Sequence, residues 1–242
     1  MRKRASVVGL GLRMTVVPVC AVILAASLLQ VWLFLRTDYI WVNPEHAWSA
    51  YSFEYILDEQ MVGNVGKLSF LGIMCVLVLR CSQQKGKFSY TLRRLRIREN
   101  EITAIWLLVF SGYFLISWAV QLGLVLWMFT QYATAADWGK IDLFVASYRS
   151  AYFHTLLPLS EPWGWWRNAM LCLSWGTMGA LICRYMRHGG KPFMALMLLG
   201  ASVVAMPSDV ATKVNDIISI ILLVGVVIVQ IVLTLEVERN ED

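Results

Sequence analysis

The chain has 242 residues, of which 58% are hydrophobic and 15% charged, whereas a soluble globular domain carries about 25% charged residues. This composition is typical of a membrane protein and excludes an ordinary soluble domain. The net charge of +5 does not indicate nucleic-acid binding, because the lysines and arginines cluster at the ends of apolar runs instead of covering one solvated face. We therefore expect membrane lipid as a partner and no nucleic acid.

Six apolar runs are candidates for membrane-spanning helices, since a helix needs about 20 apolar residues to cross a bilayer. They predict an all-α membrane protein, with residues 1–242 forming one transmembrane domain. The six spans are predicted at 12–35, 61–79, 102–129, 168–183, 193–206 and 217–235. The fifth run is short, so it is either a short span or, together with the sixth, a re-entrant feature.

The basic residues predict the orientation of the spans, because short loops rich in Lys and Arg stay in the cytoplasm. The N-terminus, the second loop (80–101) and the fourth loop (184–192) are basic, whereas the first loop (36–60) is acidic. The third loop (130–167) contains few basic residues for its length, and the fifth loop contains only Lys213. This alternation predicts six transmembrane helices with both termini cytoplasmic.

Polar residues inside the spans cost free energy unless they form hydrogen bonds or ion pairs. Lys67 lies within about two turns of the outer end of its span, so we expect its amine to reach back towards water, with Asp58 or Glu59 as partners. Gln121 and Gln230 lie deeper, and we expect their amides to bond to neighbouring helices instead of binding cargo. The aromatic stretches "DYIW" and "WGWW" predict a belt at the membrane surface.

Nucleotide-binding and catalytic patterns are missing from the sequence. The stretch "GNVGKLS", Gly63 to Ser69, has too few residues between its glycines for a phosphate-binding loop, and Leu68 follows Lys67 where Ser or Thr is required. The three histidines are scattered and the five cysteines contain no CxxC pair. The sequence therefore predicts no catalytic residue, no cofactor and no metal site.

The second loop contains the most basic segment of the chain, "KGKFSYTLRRLRIRENEI". If its end is helical, Phe88, Leu92, Leu95 and Ile102 share one face and the arginines point away from it. This pattern predicts a cytoplasmic amphipathic helix between the second and third spans. Two interpretations remain open: the helix lies on anionic lipid, at about 1 kcal/mol per basic residue, or it docks a soluble partner.

Six spans, cytoplasmic termini, a basic start and the stretch "YTLRRLRIRENEITAIW" resemble the membrane subunit of a bacterial ABC-2 type transporter. The resemblance in the arrangement of the spans covers the whole chain, whereas the resemblance in amino-acid sequence covers this one stretch. It implies a permease of the bacterial plasma membrane, an exporter, that forms the translocation path with a second copy of itself or a homologous permease. It also implies separate ABC ATPase subunits, on which ATP is hydrolysed, so that this chain is not itself an enzyme.

The resemblance further implies a coupling helix, from Ser89 to Asn100, that sits in a cleft of the ATPase. The ATPase-coupling residues that it implies are Tyr90, Leu92, Arg93, Arg94, Leu95, Arg96, Arg98 and Glu99. Residues 1–14 would match an interfacial helix of the family. The chain departs from the family on its outer side, where the first and third loops are long and the fifth is short. A non-transporting membrane scaffold or sensor subunit remains the alternative, because it would have the same spans and the same basic loop.

Overall fold

The computed structural model describes residues 2–36, 53–81, 98–135, 143–159, 162–187, 193–204 and 213–239. Within these ranges the regular structure is entirely α-helical. The long helices are α1 (Arg2–Leu35), α3 (Val62–Cys81), α4 (Glu99–Ala135), α7 (Pro162–Arg187) and α9 (Lys213–Arg239). The shorter helices are α2 (Phe53–Glu59), α5 (Leu143–Arg149), α6 (Ala151–Leu156) and α8 (Phe193–Val204).

The all-helical fold confirms the predicted class, and three helices are long and apolar enough to cross a membrane. These candidate spans are Ser6–Leu35, Val62–Cys81 and Glu99–Thr134, which lie in α1, α3 and α4. In α9 the apolar stretch Asp216–Val232 is shorter. Helix α8 has 12 residues, which is about 18 Å at 1.5 Å per residue, against a hydrocarbon core of about 30 Å.

Helix α7 is the central helix of the bundle. It packs against α3, α4, α6, α8 and α9, and all of its residues from Ser174 to Arg184 are buried. Because this stretch turns no face towards lipid, it can contain small and polar residues that a lipid-facing helix avoids. This explains why α7 is less apolar than α1, α3 and α4.

Small residues let α4 and α7 approach closely, as is common where helices pack in membranes. A Cβ atom on Gly176 of α7 would lie 2.7 Å from the backbone nitrogen of Ser111 on α4. One turn later, a Cβ atom on Gly179 would lie 2.8 Å from the ring of Phe110. The contact between the two helices therefore depends on these glycines.

Helices α1, α3, α4 and α7 alternate in direction in chain order. The hydrophobic cluster at one end of the bundle includes residues near the start of α1, the end of α3, the start of α4 and the end of α7, namely Val7, Cys81, Ile102 and Cys183. The cluster at the other end includes residues from the end of α1, the start of α3 and the end of α4, namely Phe34, Val62 and Phe129. We call the first the basic end, because it carries Arg80, Arg98, Arg184 and Arg187, and the second the cap end.

Helices α2, α5 and α6 form a cap over the cap end. The ring of Phe53 on α2 lies 5.5 Å from that of Phe129 on α4 and 6.1 Å from that of Phe153 on α6, in edge-to-face geometry. The Ser150 side chain accepts a hydrogen bond from the Phe153 N–H and so begins α6. The described parts of the first and third loops thus contain short helices whose apolar side chains share one cluster with the ends of α1, α3 and α4.

The N-terminal segment is part of the first long helix. Residues 2–14, which the family resemblance would match to an interfacial helix, are continuous with the first span in α1. The stretch before Pro18 contains Gly9 and Gly11 but no proline, so nothing in it forces the helix to end.

Candidate functional site

Two polar contacts fasten the first turn of α4 to the last turn of α7 at the basic end. The Nη2 atom of Arg187 lies 2.7 Å from Oε1 of Glu99. The Nη1 atom of Arg184 donates to Oδ1 of Asn100 at 2.8 Å, and Arg184 is buried. Because α4 follows the basic segment of the second loop directly, these contacts connect the end of that segment to the central helix.

The predicted coupling residues fall mostly beyond this contact. Six of them, Tyr90, Leu92, Arg93, Arg94, Leu95 and Arg96, lie outside the described residues. Arg98 is exposed just before α4 begins. Glu99, the last of the predicted coupling residues, faces Arg187 on α7.

Gln121 of α4 bonds to two neighbouring helices. Its Nε2 atom donates to Oγ of Ser69 at 2.7 Å and to the carbonyl oxygen of Gly66 at 3.2 Å, both on α3. Its Oε1 atom accepts from the hydroxyl of Tyr152 on α6 at 3.3 Å. Both polar atoms of the amide therefore have partners, which fits a role in holding helices together.

Tyr152 inserts from the cap between α1, α3 and α4. Its hydroxyl accepts from Nε2 of Gln30 on α1 at 3.0 Å. A Cβ atom on Gly66 would lie 2.8 Å from that hydroxyl, and one on Gly63 would lie 3.0 Å from the tyrosine ring. Burial raises the pKa of Tyr152, an effect that the Gln30 hydrogen bond only partly opposes, so the phenol stays neutral and can donate. The glycines of "GNVG" thus make room for a tyrosine.

Lys67 lies close to this network in the chain and is half-buried. Among the described side chains it forms no ion pair with Asp58 or Glu59, the partners expected for it.

Burial and the negative charge of Glu54 raise the pKa of the Asp58 carboxyl. Glu54 itself lies 3.6 Å from Arg149, a pair that links α2 to α5.

Gln230 of α9 contacts α7. Its Oε1 atom accepts from the Thr177 hydroxyl, and its Nε2 atom lies 3.6 Å from Sδ of Met178. This side chain is buried, so its contacts hold α9 against the central helix.

A buried ion pair joins α7 to α9 near the cap end. Nη1 of Arg167 donates to Oδ1 of Asp216, and each residue is 1% exposed. Nη2 of Arg167 also donates to the carbonyl oxygen of Thr155 on α6 at 3.1 Å, and Nδ2 of Asn168 donates to the same oxygen at 2.7 Å. The cluster therefore fixes three helices at one point.

Sequence reasoning missed this ion pair. It counted Arg167 as a charge of the third loop and did not single out Asp216. The available signal was one charge at the margin of each of two apolar runs, since charges within membrane helices usually pair with one another.

The two contacts between α7 and α9 also give their relative direction. Asp216, near the start of α9, meets Arg167, near the start of α7, and Gln230 meets Thr177 further along both helices. The two helices therefore run parallel, and α8, which lies between them in the chain, packs against both.

Metal-ligating side chains do not gather in the described parts of the chain. No cluster of three or more His, Cys, Asp or Glu side chains there could hold a metal ion, and the five cysteines are free thiols. No protein-family model, curated protein or solved structure matches the sequence or the fold.

Proposed function

We propose that the chain is the membrane-spanning subunit of an ABC transporter, an exporter that couples to separate ATPase subunits through residues 89–100 of the basic segment. The observation that carries the proposal is the link between this basic segment and the central helix. The segment leads into α4 at Glu99, and the first turn of α4 is fastened to α7 through Glu99–Arg187 and Asn100–Arg184. A displacement of the docked segment would therefore move α7 as well.

The order of the helices supports six crossings of the membrane. Helices α1, α3, α4 and α7 alternate in direction, and α9 runs parallel to α7, as it would if α8 crossed between them. In this arrangement α1 begins and α9 ends towards the basic end. We assign that end to the cytoplasm, because positively charged residues are retained there.

The proposed mechanism is mechanical. ATP binding would close the partner ATPases and draw together the docked segments of two permeases, so that the path between them opens to the other side. The energy comes from the difference in nucleotide affinity between the two states. Residues of this chain transmit the movement and take no part in bond chemistry.

Charge reversal in the basic segment tests the docking. We expect Arg93→Glu with Arg94→Glu to lower the amount of ATPase that co-purifies with the chain, because two attractive contacts become repulsive. The matched control is Lys85→Glu with Lys87→Glu, which changes the loop charge equally but lies before the predicted coupling helix. Equal loss of ATPase in both variants, or loss in neither, would contradict the assignment of residues 89–100 as the docking site.

A further inference from the structure

Helix α5 in the cap turns its larger apolar side chains outwards. Phe144 is 47% exposed, Val145 44% and Tyr148 55%, whereas the small Ala146 and Ser147 are buried against the cap. The three exposed residues share one face of the helix. A helix that lies on a protein core in water shows the opposite pattern, so the exposed face of α5 fits apolar surroundings.

Helix α2, in the same cap, shows the ordinary pattern. It buries Phe53, Ile56 and Leu57 and exposes the carboxylates of Asp58 and Glu59. The two helices contact each other, and an ion pair joins Arg149 of α5 to Glu54 of α2. One small cap therefore presents a charged face and an apolar face to its surroundings.

The exposed tryptophans show what surrounds the apolar face. Among the described residues, the tryptophans with large exposed surfaces lie towards the cap end of α1, α4 and α7, and they are Trp32, Trp127, Trp163, Trp165 and Trp166. Tryptophan is enriched where a membrane meets water. The belt thus marks the level of the lipid headgroups at this end of the bundle, and the cap that carries α5 lies at the same end.

We propose that α5 is an interfacial helix that binds the lipid leaflet at the cap end, with the Phe144, Val145 and Tyr148 face among the upper parts of the acyl chains. Helices α1 and α4, which end towards the cap, likewise expose apolar residues, among them Leu28 and Ile116. Arg149, whose side chain is 64% exposed, follows at the level of the lipid phosphates, where its charge is complementary. This inference depends on membrane embedding and is independent of the proposed transport function.

A fluorescent probe at two matched positions tests the proposal. The full chain is prepared with a coumarin-bearing amino acid in place of either Phe144 on α5 or Tyr55 on α2, each of which is 47% exposed. Each variant is reconstituted in nanodiscs of phosphatidylcholine and phosphatidylglycerol. Its emission is then quenched either with brominated phosphatidylcholine in the nanodisc or with iodide in the buffer.

The probe at position 144 is expected to lose emission to brominated lipid and to be protected from iodide, and the probe at position 55 to do the reverse. Quenching at position 144 by iodide alone would show a face in water and would overturn the proposal. Protection from both quenchers would show that a second copy or another protein covers the face, and would overturn it equally. If the Phe144 variant does not purify as a monodisperse protein, Tyr148 on the same face takes its place.

Discussion

Arg167 and Asp216 are two charges buried together where α6, α7 and α9 meet. Taking two charges out of water costs several kcal/mol each, and their mutual attraction repays this only with good geometry and further hydrogen bonds. Asn168 and the Thr155 carbonyl supply such bonds to the guanidinium. Each charge is therefore tolerable only while the other is present.

We expect Asp216→Asn to lower the free energy of unfolding by about 3–5 kcal/mol, because it leaves the Arg167 charge buried without its partner. The double variant Arg167→Met with Asp216→Leu should recover most of that loss, since apolar residues of similar volume often replace a buried pair at little cost. Thermal unfolding in detergent measures both effects. An unchanged midpoint in Asp216→Asn would show that the pair does not hold α7 to α9.

Single residues show what the sequence can predict and what it cannot. The depth of Gln121 and Gln230 in apolar runs predicts amides that need partners on other helices, and the structure provides them. The glycines of "GNVG" could be rejected as a phosphate site, but their actual neighbour, Tyr152, is almost ninety positions away in the chain. No local pattern predicts which distant side chain fills such a gap.

At the scale of helices, each of the six predicted spans falls largely within a helix, because long apolar runs are the strongest signal that a sequence contains. The short helices α2, α5 and α6 were not predicted, since a helix of 6 or 7 residues has too few turns to show a periodicity. Helix α2 packs against α3 and α6 packs against α4, whereas α5 packs against α2 and α6. The cap therefore emerges only from the packed structure.

In the proposed mechanism, the link between α4 and α7 transmits the movement of the docked segment. We expect Glu99→Arg to reduce the effect of the permease on the hydrolysis rate of each bound ATPase, because two like charges would push the helix ends apart. Adding Arg187→Glu restores opposite charges and should restore the effect. The measurement is ATP hydrolysis by the reconstituted complex. An unchanged rate in the single variant would show that the Glu99–Arg187 pair transmits nothing.

At the scale of the whole molecule, one cluster of arginines and the exposed tryptophans lie at opposite ends of the bundle. Arg80, Arg98 and Arg187 lie at the basic end, whereas the exposed tryptophans and the cap lie at the other. This arrangement fits the two proposals, in which the basic end meets a soluble partner and the cap end contacts the lipid headgroups of the other leaflet. The charge pattern of the loops predicts which end of the bundle is basic, because the basic residues of each loop can be counted in the sequence.

The most direct test of the account is purification of the tagged chain from its native host in mild detergent, followed by mass spectrometry of the proteins that accompany it. An ABC permease should bring down a soluble ATPase in stoichiometric amount, together with a second permease subunit if the pair is a heterodimer. Recovery of the chain alone, or with other membrane proteins only, would contradict the transporter assignment. The basic segment would then be a lipid anchor, and a membrane scaffold or sensor subunit would be the better description.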